Sequence, residues 1–165
     1  MMSVKLLGAV MAATMMPLVG GCTSESGTAA SNATTQDRLV AVTVQTKAGP
    51  KTFRVETART REEQDRGLMF RTDIPEEGGM IFHPYPAEGG PPREAAFWMK
   101  NTPTSLDIIF IREDQTIARI AENTIPFDEG NVRSFEPVAA VLELKAGKAA
   151  EHGIAVGDKV SWEGL

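Results

Sequence analysis

The chain has 165 residues and a formal net charge of −5, from 17 Lys and Arg against 22 Asp and Glu. Binding to nucleic acid depends on clustered positive charge, whereas the basic residues here are scattered, so we expect no nucleic-acid partner. The single cysteine, Cys22, excludes a disulfide framework and leaves the rest of the chain without a thiol nucleophile.

The first 21 residues have the pattern of a bacterial lipoprotein signal peptide. Lys5 precedes an almost entirely apolar stretch, residues 6–19, which is shorter than the roughly 20 residues that a transmembrane helix needs. The stretch ends in the sequence VGGC, whose last residue is Cys22, and this order of one aliphatic and two small residues before a cysteine is typical of a lipobox. We therefore expect cleavage before Cys22 and a lipid on its thiol, with a plain signal peptide as the alternative.

The predicted location is the bacterial cell envelope, because the several acyl chains of a lipoprotein bind a membrane stably. The membrane is then the first partner, and the domain lies outside the cytoplasm, in the periplasm if the host is Gram-negative. Residues 22–37 are rich in Ser, Thr and Ala and contain no large apolar side chain, so they predict a flexible tether. Residues 38–165 are predicted to form a single domain.

This domain opens with a hairpin and a short helix. Alternating apolar residues predict strands at 39–46 and 52–57 around an Ala-Gly-Pro turn. Thr60 and Glu63 have the spacing of a capping box, and Gly67 suits a helix end, so a short helix is predicted between them.

Short strands dominate the rest of the domain. They are predicted at 80–82, 95–99, 107–112, 116–121, 138–144 and 159–162, with a helical turn at 146–152. Residues 84–92, with four prolines, and residues 126–135 predict irregular segments. The pattern indicates a β-rich α+β fold: a small β-barrel or a strongly curved antiparallel or mixed sheet, with one or two short helices.

Several dense segments carry a family resemblance. They are RGLMF (66–70), GMIF (79–82), FWMKNT (97–102), LDIIFI (106–111), VLEL (141–144) and GDKV (157–160). In order and spacing they closely resemble the domain of unknown function 192 family across nearly all of the predicted domain. The resemblance implies a compact β-barrel-like fold, often behind an export signal, and it implies no activity.

The FWMKNT segment is the centre of the candidate binding site. Side chains alternate along a strand, so Phe97 and Met99 are predicted to face the core while Trp98 and Lys100 face a cleft or the surface. An exposed indole beside Lys100 and Asn101 offers a stacking face with hydrogen-bonding groups, as sites for sugars and planar ligands do. The alternative is that Trp98 packs beneath the Pro-rich loop and that the residues after it form only a turn.

Asp107 is the second candidate, because it begins an apolar strand where an ionised carboxylate is costly unless it is paired. Arg66, at the predicted helix end, is a natural partner, since a guanidinium binds a carboxylate through two parallel hydrogen bonds. The pair is either a structural salt bridge or, together with Lys100, part of a pocket for an anionic or polyhydroxyl ligand. Glu143, between core residues of a strand, is expected at the surface or on a cleft rim.

Familiar catalytic signatures are missing from the sequence: it has no phosphate-binding glycine loop, no HExxH and no GxSxG. No cofactor is predicted, and the indicated function is a non-catalytic binding or accessory lipoprotein for a small polar molecule, a glycan or an envelope protein. One alternative is a hydrolase-type enzyme that uses Asp107 with Glu143 or Asp158 as a second carboxylate. The other is a purely structural envelope protein.

Metal binding is a minor alternative. Met69, Met80, Met99 and His83 are soft ligands suited to Cu(I), although methionine more often fills irregular gaps in a core. His83 and His152 are otherwise interpreted as structural or surface histidines, because neither has a neighbour at ligand spacing.

Overall fold

A computed structural model describes residues 39–165 of the chain. The predicted signal peptide, Cys22 and the predicted tether lie outside the described residues. The strands within them are β1 (Val40–Thr46), β2 (Gly49–Ala58), β3 (Gly79–Phe82), β4 (Arg93–Phe97), β5 (Leu106–Ile111), β6 (Ile117–Ala121), β7 (Val132–Val138), β8 (Ala140–Lys145) and β9 (Lys159–Trp162). The helices are α1 (Arg61–Arg66) and α2 (Lys148–His152). Of the helices among residues 39–165, none has the length and apolar character needed to cross a bilayer.

Seven of the strands form one curled sheet, in the order β6-β5-β8-β3-β2-β1-β9, and β4 pairs with β7 in a separate two-stranded sheet. Strands β2 and β3 are parallel, and the other named pairs are antiparallel. The curl brings the two edges of the large sheet together, because Thr116 pairs with Lys159 and the Val160 N–H donates to the Gln115 carbonyl at 2.8 Å. The predicted strongly curved, mixed sheet with short helices is confirmed as a half-barrel.

Strands β5 and β8 lie next to each other with every residue buried except Lys145. Burial on both faces explains why their sequences are nearly continuous apolar runs rather than alternating ones. One face contributes to a core with β1, β2 and β9: Ile109, Ile111, Leu142 and Leu144. The other face contributes to a second core under β3, β4 and β7: Ile108, Phe110 and Val141.

Helix α1 has the predicted caps. The Glu63 N–H donates to Thr60 Oγ1 at 3.2 Å, and the Thr60 N–H donates to Glu63 Oε2 at 3.0 Å. These two bonds satisfy backbone donors that the first helical turn leaves free. The helix ends before Gly67, whose φ of 47° suits glycine.

Two strand predictions were wrong in extent. Strand β4 ends at Phe97 instead of Met99, because the Met99 N–H leaves the ladder and donates to the Asp128 carbonyl at 2.8 Å. Strand β7 occupies part of the stretch that was predicted to be irregular. Pro137 has no backbone N–H to donate, and the structure accommodates it in a sheet of only two strands.

Asp107 fastens β5 to two distant segments. Its side chain is fully buried; Oδ1 accepts the Asn123 N–H at 2.9 Å and Oδ2 accepts the Ala149 N–H in helix α2 at 2.8 Å. The predicted ion pair with Arg66 is therefore wrong, since backbone donors satisfy both oxygens. A carboxylate that accepts backbone N–H groups gains strong, charge-assisted hydrogen bonds.

Replacing Asp107 with Asn tests this fastening. Asp107→Asn turns one acceptor into an NH₂ group that faces a buried N–H, so we expect the free energy of unfolding to fall by about 1–3 kcal/mol. Urea denaturation followed by circular dichroism measures the change. Glu113→Gln, in an exposed turn, is the matched control and should stay within about 0.5 kcal/mol. A midpoint for Asp107→Asn equal to that of the control would contradict the fastening role.

Candidate functional site

A pocket of about 590 Å³ opens beside helix α1. Its walls come from α1 and the three residues that follow it, from the Pro-rich loop, from both ends of β4, and from single residues of β3 and β8. This volume lies within the range of about 300–1,000 Å³ that is usual for small-molecule sites. The pocket lies on the face of β8 that belongs to the second core.

Aromatic rings form much of the wall. Phe97 packs edge-on against Phe82, with ring centroids 5.0 Å apart, and its ring also lies 5.9 Å from Tyr85. Trp98 follows at the mouth with 45% of its surface exposed. The three inner rings fix one another in place, so the wall is formed before any ligand arrives.

Arg66, the last residue of α1, contributes a guanidinium without an ionic partner among residues 39–165. The two other arginines in the lining do have partners: Arg61 lies 3.7 Å from Asp65 and Arg93 lies 2.9 Å from Glu88. Arg66 is therefore the arginine of the lining that is open to an anionic group of a ligand.

Glu143 forms the base of the pocket. It lies in the middle of β8, opposite Met80 of β3 and Ile108 of β5, and only 4% of its surface is exposed. No side chain or backbone group of residues 39–165 forms a hydrogen bond or ion pair with its carboxyl, although the carboxyl borders the pocket. Burial away from water raises its pKa from 4.5 to about 8. Glu143 was expected at the surface or on a cleft rim; it does border the cleft, but it is buried there because β8 is covered on both faces.

Gly79 lets β3 approach β8 at this point. A side chain there would place its Cβ 2.0 Å from the Glu143 carbonyl oxygen, which no real Cβ tolerates. The glycine of the GMIF segment therefore contributes to the position of Glu143 by allowing two backbones to lie close together.

The structure divides the predicted binding residues into two groups. Arg66 and Trp98 line the pocket. Lys100 lies outside the lining, with its Nζ 5.0 Å from the centre of the Trp98 ring, and the Asn101 side chain turns to the Met69 sulfur at 3.9 Å. Asp107 is a structural residue, as described above. The base, Glu143, was missed as a ligand-binding candidate, although a lone acidic residue inside the apolar VLEL segment was the visible signal.

Asp107 and Glu143 do not form the carboxylate pair of the predicted hydrolase. Asp107 is registered with Leu144 while Ile108 is registered with Glu143, so the two acidic side chains point to opposite faces of the sheet. Asp158 Oδ2 accepts the Ala155 N–H at 2.8 Å in the turn before β9.

The predicted soft-metal ligands have different partners. Met80 is buried opposite Glu143, Met99 Sδ accepts a hydrogen bond from the Thr124 hydroxyl at 3.2 Å, and the His83 ring packs 5.0 Å from Trp162. The structure therefore does not assemble Met69, Met80, Met99 and His83 into one site.

A separate group of possible ligands, Glu77, Glu151 and His152, has its ligand atoms within 4.8 Å of one another. The half-buried His152 ring also packs edge-on against Phe53, at 5.4 Å. Lys148 lies 2.8 Å from Glu151 and 3.9 Å from Glu77, so both carboxylates already contact an ammonium.

Comparison with known proteins gives a family and a fold. The model of the domain of unknown function 192 family (DUF192), described as "Uncharacterized ACR", matches residues 42–162. A crystal structure of a protein of unknown function from Novosphingobium aromaticivorans is 48% identical with a TM-score of 0.70, over 75% of this chain and 85% of that one. A protein from Sinorhizobium meliloti, provisionally described as a transcription regulator, is 38% identical with a TM-score of 0.70, over 77% and 95%. No curated protein matches the chain.

Burial of Glu143 predicts a pH dependence of stability. Its pKa is higher in the folded chain, about 8 against 4.5, so between these values the folded state binds more protons and the free energy of unfolding falls as the pH rises. The fall is at most about 1.4 kcal/mol per pH unit, and it ends above the folded pKa. Glu143→Gln stays neutral and removes this contribution. Urea denaturation at pH 5, 7 and 9 measures it, and identical pH profiles for both proteins would show that Glu143 is not a buried, neutral acid.

Proposed function

The chain belongs to the DUF192 family, whose description assigns no activity, and we propose from its own pocket that the domain is a non-catalytic module that binds a small polar molecule. One observation carries this proposal. The aromatic pocket contains two charged or titratable groups, Arg66 and Glu143, that have no ionic partner among the described residues. The carboxyl at the base borders the open cavity, and no side-chain N or O atom among residues 39–165 is completely buried without a hydrogen-bond partner, so a group that enters the cavity can bind this carboxyl directly.

The charge arrangement favours binding over hydrolysis. Glycoside hydrolysis needs two carboxyl groups that face a shared space. The other two carboxylates of the lining, Asp65 and Glu88, each lie beside an arginine. A role in transcription, which the description of the S. meliloti protein gives to that protein, finds no support in the scattered basic residues of this chain.

We also propose that the domain is held at the bacterial envelope by a lipid on Cys22. The support is the VGGC sequence at the end of an apolar leader. A flexible segment as long as residues 22–37 has an end-to-end distance of roughly 20–25 Å. The pocket would then sample the layer next to the membrane surface, where it meets small molecules that enter or leave the cell.

A thermal-shift screen with amines, amino acids, sugars and nucleotides tests the binding function. A ligand at about 100 times its Kd stabilises a protein by about 2.7 kcal/mol, which raises the Tm of a domain of this size by on the order of 10 °C. Trp98→Ala and Arg66→Ala should each reduce the ligand-induced shift. Phe127→Ala removes an aromatic side chain that is more exposed than Trp98, 62% against 45%, and lies outside the lining, and it should leave the shift unchanged. The proposal would be refuted if no compound raised the Tm and Trp98→Ala changed only the Tm without ligand.

Replacement of Cys22 tests the anchor. In a bacterial host, we expect the native chain to incorporate labelled palmitate and to sediment with membranes, and Cys22→Ser to lose the label because the hydroxyl cannot be acylated by this route. Ser24→Ala, two residues away, is the control and should keep both properties. Equal labelling and sedimentation of Cys22→Ser and the native chain would contradict lipidation at this residue.

A further inference from the structure

We propose that the ligand of this pocket is a small zwitterion of the amino-acid type, whose ammonium group binds Glu143, whose carboxylate binds Arg66 and whose apolar side group packs on the aromatic wall. This inference rests on the proposed binding function and narrows it to one class of ligand. It follows from three features of the same pocket: an unpartnered buried carboxyl, an unpartnered guanidinium and a set of aromatic rings.

The base of the pocket suits an ammonium group. A buried carboxylate needs hydrogen-bond donors and a positive charge nearby, and the side chains of its neighbours Met80 and Ile108 supply neither. An ammonium group supplies both. Phe82 and Phe97 line the same cavity, and aromatic faces attract organic cations through their ring quadrupoles. A buried ion pair is favourable only when both partners are well hydrogen-bonded, and an ammonium supplies up to three donors.

The mouth of the pocket suits a carboxylate. Arg66 is exposed and has no ionic partner among residues 39–165, and its guanidinium can donate two parallel hydrogen bonds to a carboxylate. A ligand with both charges leaves neither group unpaired. The cavity of about 590 Å³ has room for a single amino acid with a large side chain.

Binding of the ammonium expels a proton. In the empty pocket at neutral pH, Glu143 carries a proton because burial raises its pKa to about 8. The ion pair forms only with the carboxylate, so the ligand binds as R–NH₃⁺, the Glu143 O–H bond breaks, and one H⁺ leaves to the solvent. Affinity should therefore rise close to tenfold per unit between pH 6 and pH 8 and level off above that range.

The other carboxylates of the lining are already paired, and Lys100 contacts the Trp98 ring. Asp65 and Glu88 face arginines on α1 and in β4, and Tyr85 lies under the Arg93 guanidinium at 5.8 Å. Further along β8, Lys145 pairs with Glu76. His83, after β3, packs on Trp162, and burial lowers its pKa below the usual value. Glu143 is thus the group whose charge changes on binding.

Three probes of one shape test the inference by isothermal titration calorimetry with the full chain: phenylalanine, phenethylamine and 3-phenylpropionate. Phenylalanine carries both charges, phenethylamine carries only the ammonium, and 3-phenylpropionate carries only the carboxylate. We expect phenylalanine to bind at least tenfold more tightly than phenethylamine, and 3-phenylpropionate to bind most weakly. Titration of phenylalanine at pH 7 in two buffers of different ionisation enthalpy should report the release of close to one proton, a readout that needs no variant.

Two variants assign the charges. Glu143→Gln should weaken phenylalanine and phenethylamine at least tenfold and abolish the proton release. Arg66→Ala should lower the affinity for phenylalanine to that for phenethylamine. The Arg112 guanidinium pairs with Glu136 outside the lining, so Arg112→Ala should leave the affinities for both compounds unchanged.

The inference is overturned if 3-phenylpropionate binds as tightly as phenethylamine, if no proton is released, or if no probe binds. In these cases the proposed binding function still stands when another ligand gives a Tm shift that depends on Trp98, and it falls when none does.

Discussion

Burial of β8 on both faces is the constraint on which the rest of the molecule depends. The strand lies between β3 and β5, and its alternate side chains enter two different cores. A carboxylate anywhere in this region must find a partner or give up its charge. Asp107 takes the first course on one face, with two backbone N–H donors, and Glu143 takes the second on the other face, at the base of a cavity. One sheet thus separates an acid that stabilises the fold from an acid that is available to a ligand.

Features that depend on neighbouring residues could be predicted from the sequence. The capping box at Thr60 and Glu63 joins residues three positions apart, and both of its hydrogen bonds form. The apolar run at 106–111 predicted a buried strand, because a strand that is covered on both faces contains few polar residues. The curved sheet itself follows from many short strands of this kind. Most of strand β7 was not predicted, because its pairing partner β4 lies about 40 residues earlier in the chain and only the tertiary structure brings the two together.

Features that depend on distant residues could not be predicted in the same way. The hydrogen-bond partners of Asp107 are backbone N–H groups that lie 16 and 42 residues further along the chain. Every residue type except proline has a backbone N–H, so no pattern of side chains predicts these partners. The pocket shows the same limit. Arg66 and Trp98 were recognisable as unusual residues in dense segments, but Glu143 joins them only because β3, β5 and β8 are registered as they are. The sequence identified Arg66 and Trp98 as ligand-binding candidates, but it suggested Glu143 only as a surface or cleft-rim residue or as a second catalytic carboxylate.

The junction where Thr116 meets Lys159 has a consequence for self-association. Unpaired strand edges are the places where β-rich chains add to one another and aggregate. At this junction the large sheet uses its own outer strands to cover each other, so a second copy finds no free hydrogen-bonding row there. In the separate two-stranded sheet of β4 and β7, Pro137 lacks a backbone N–H donor. The contact between the two outer strands therefore limits edge-to-edge association between copies of this domain at that junction.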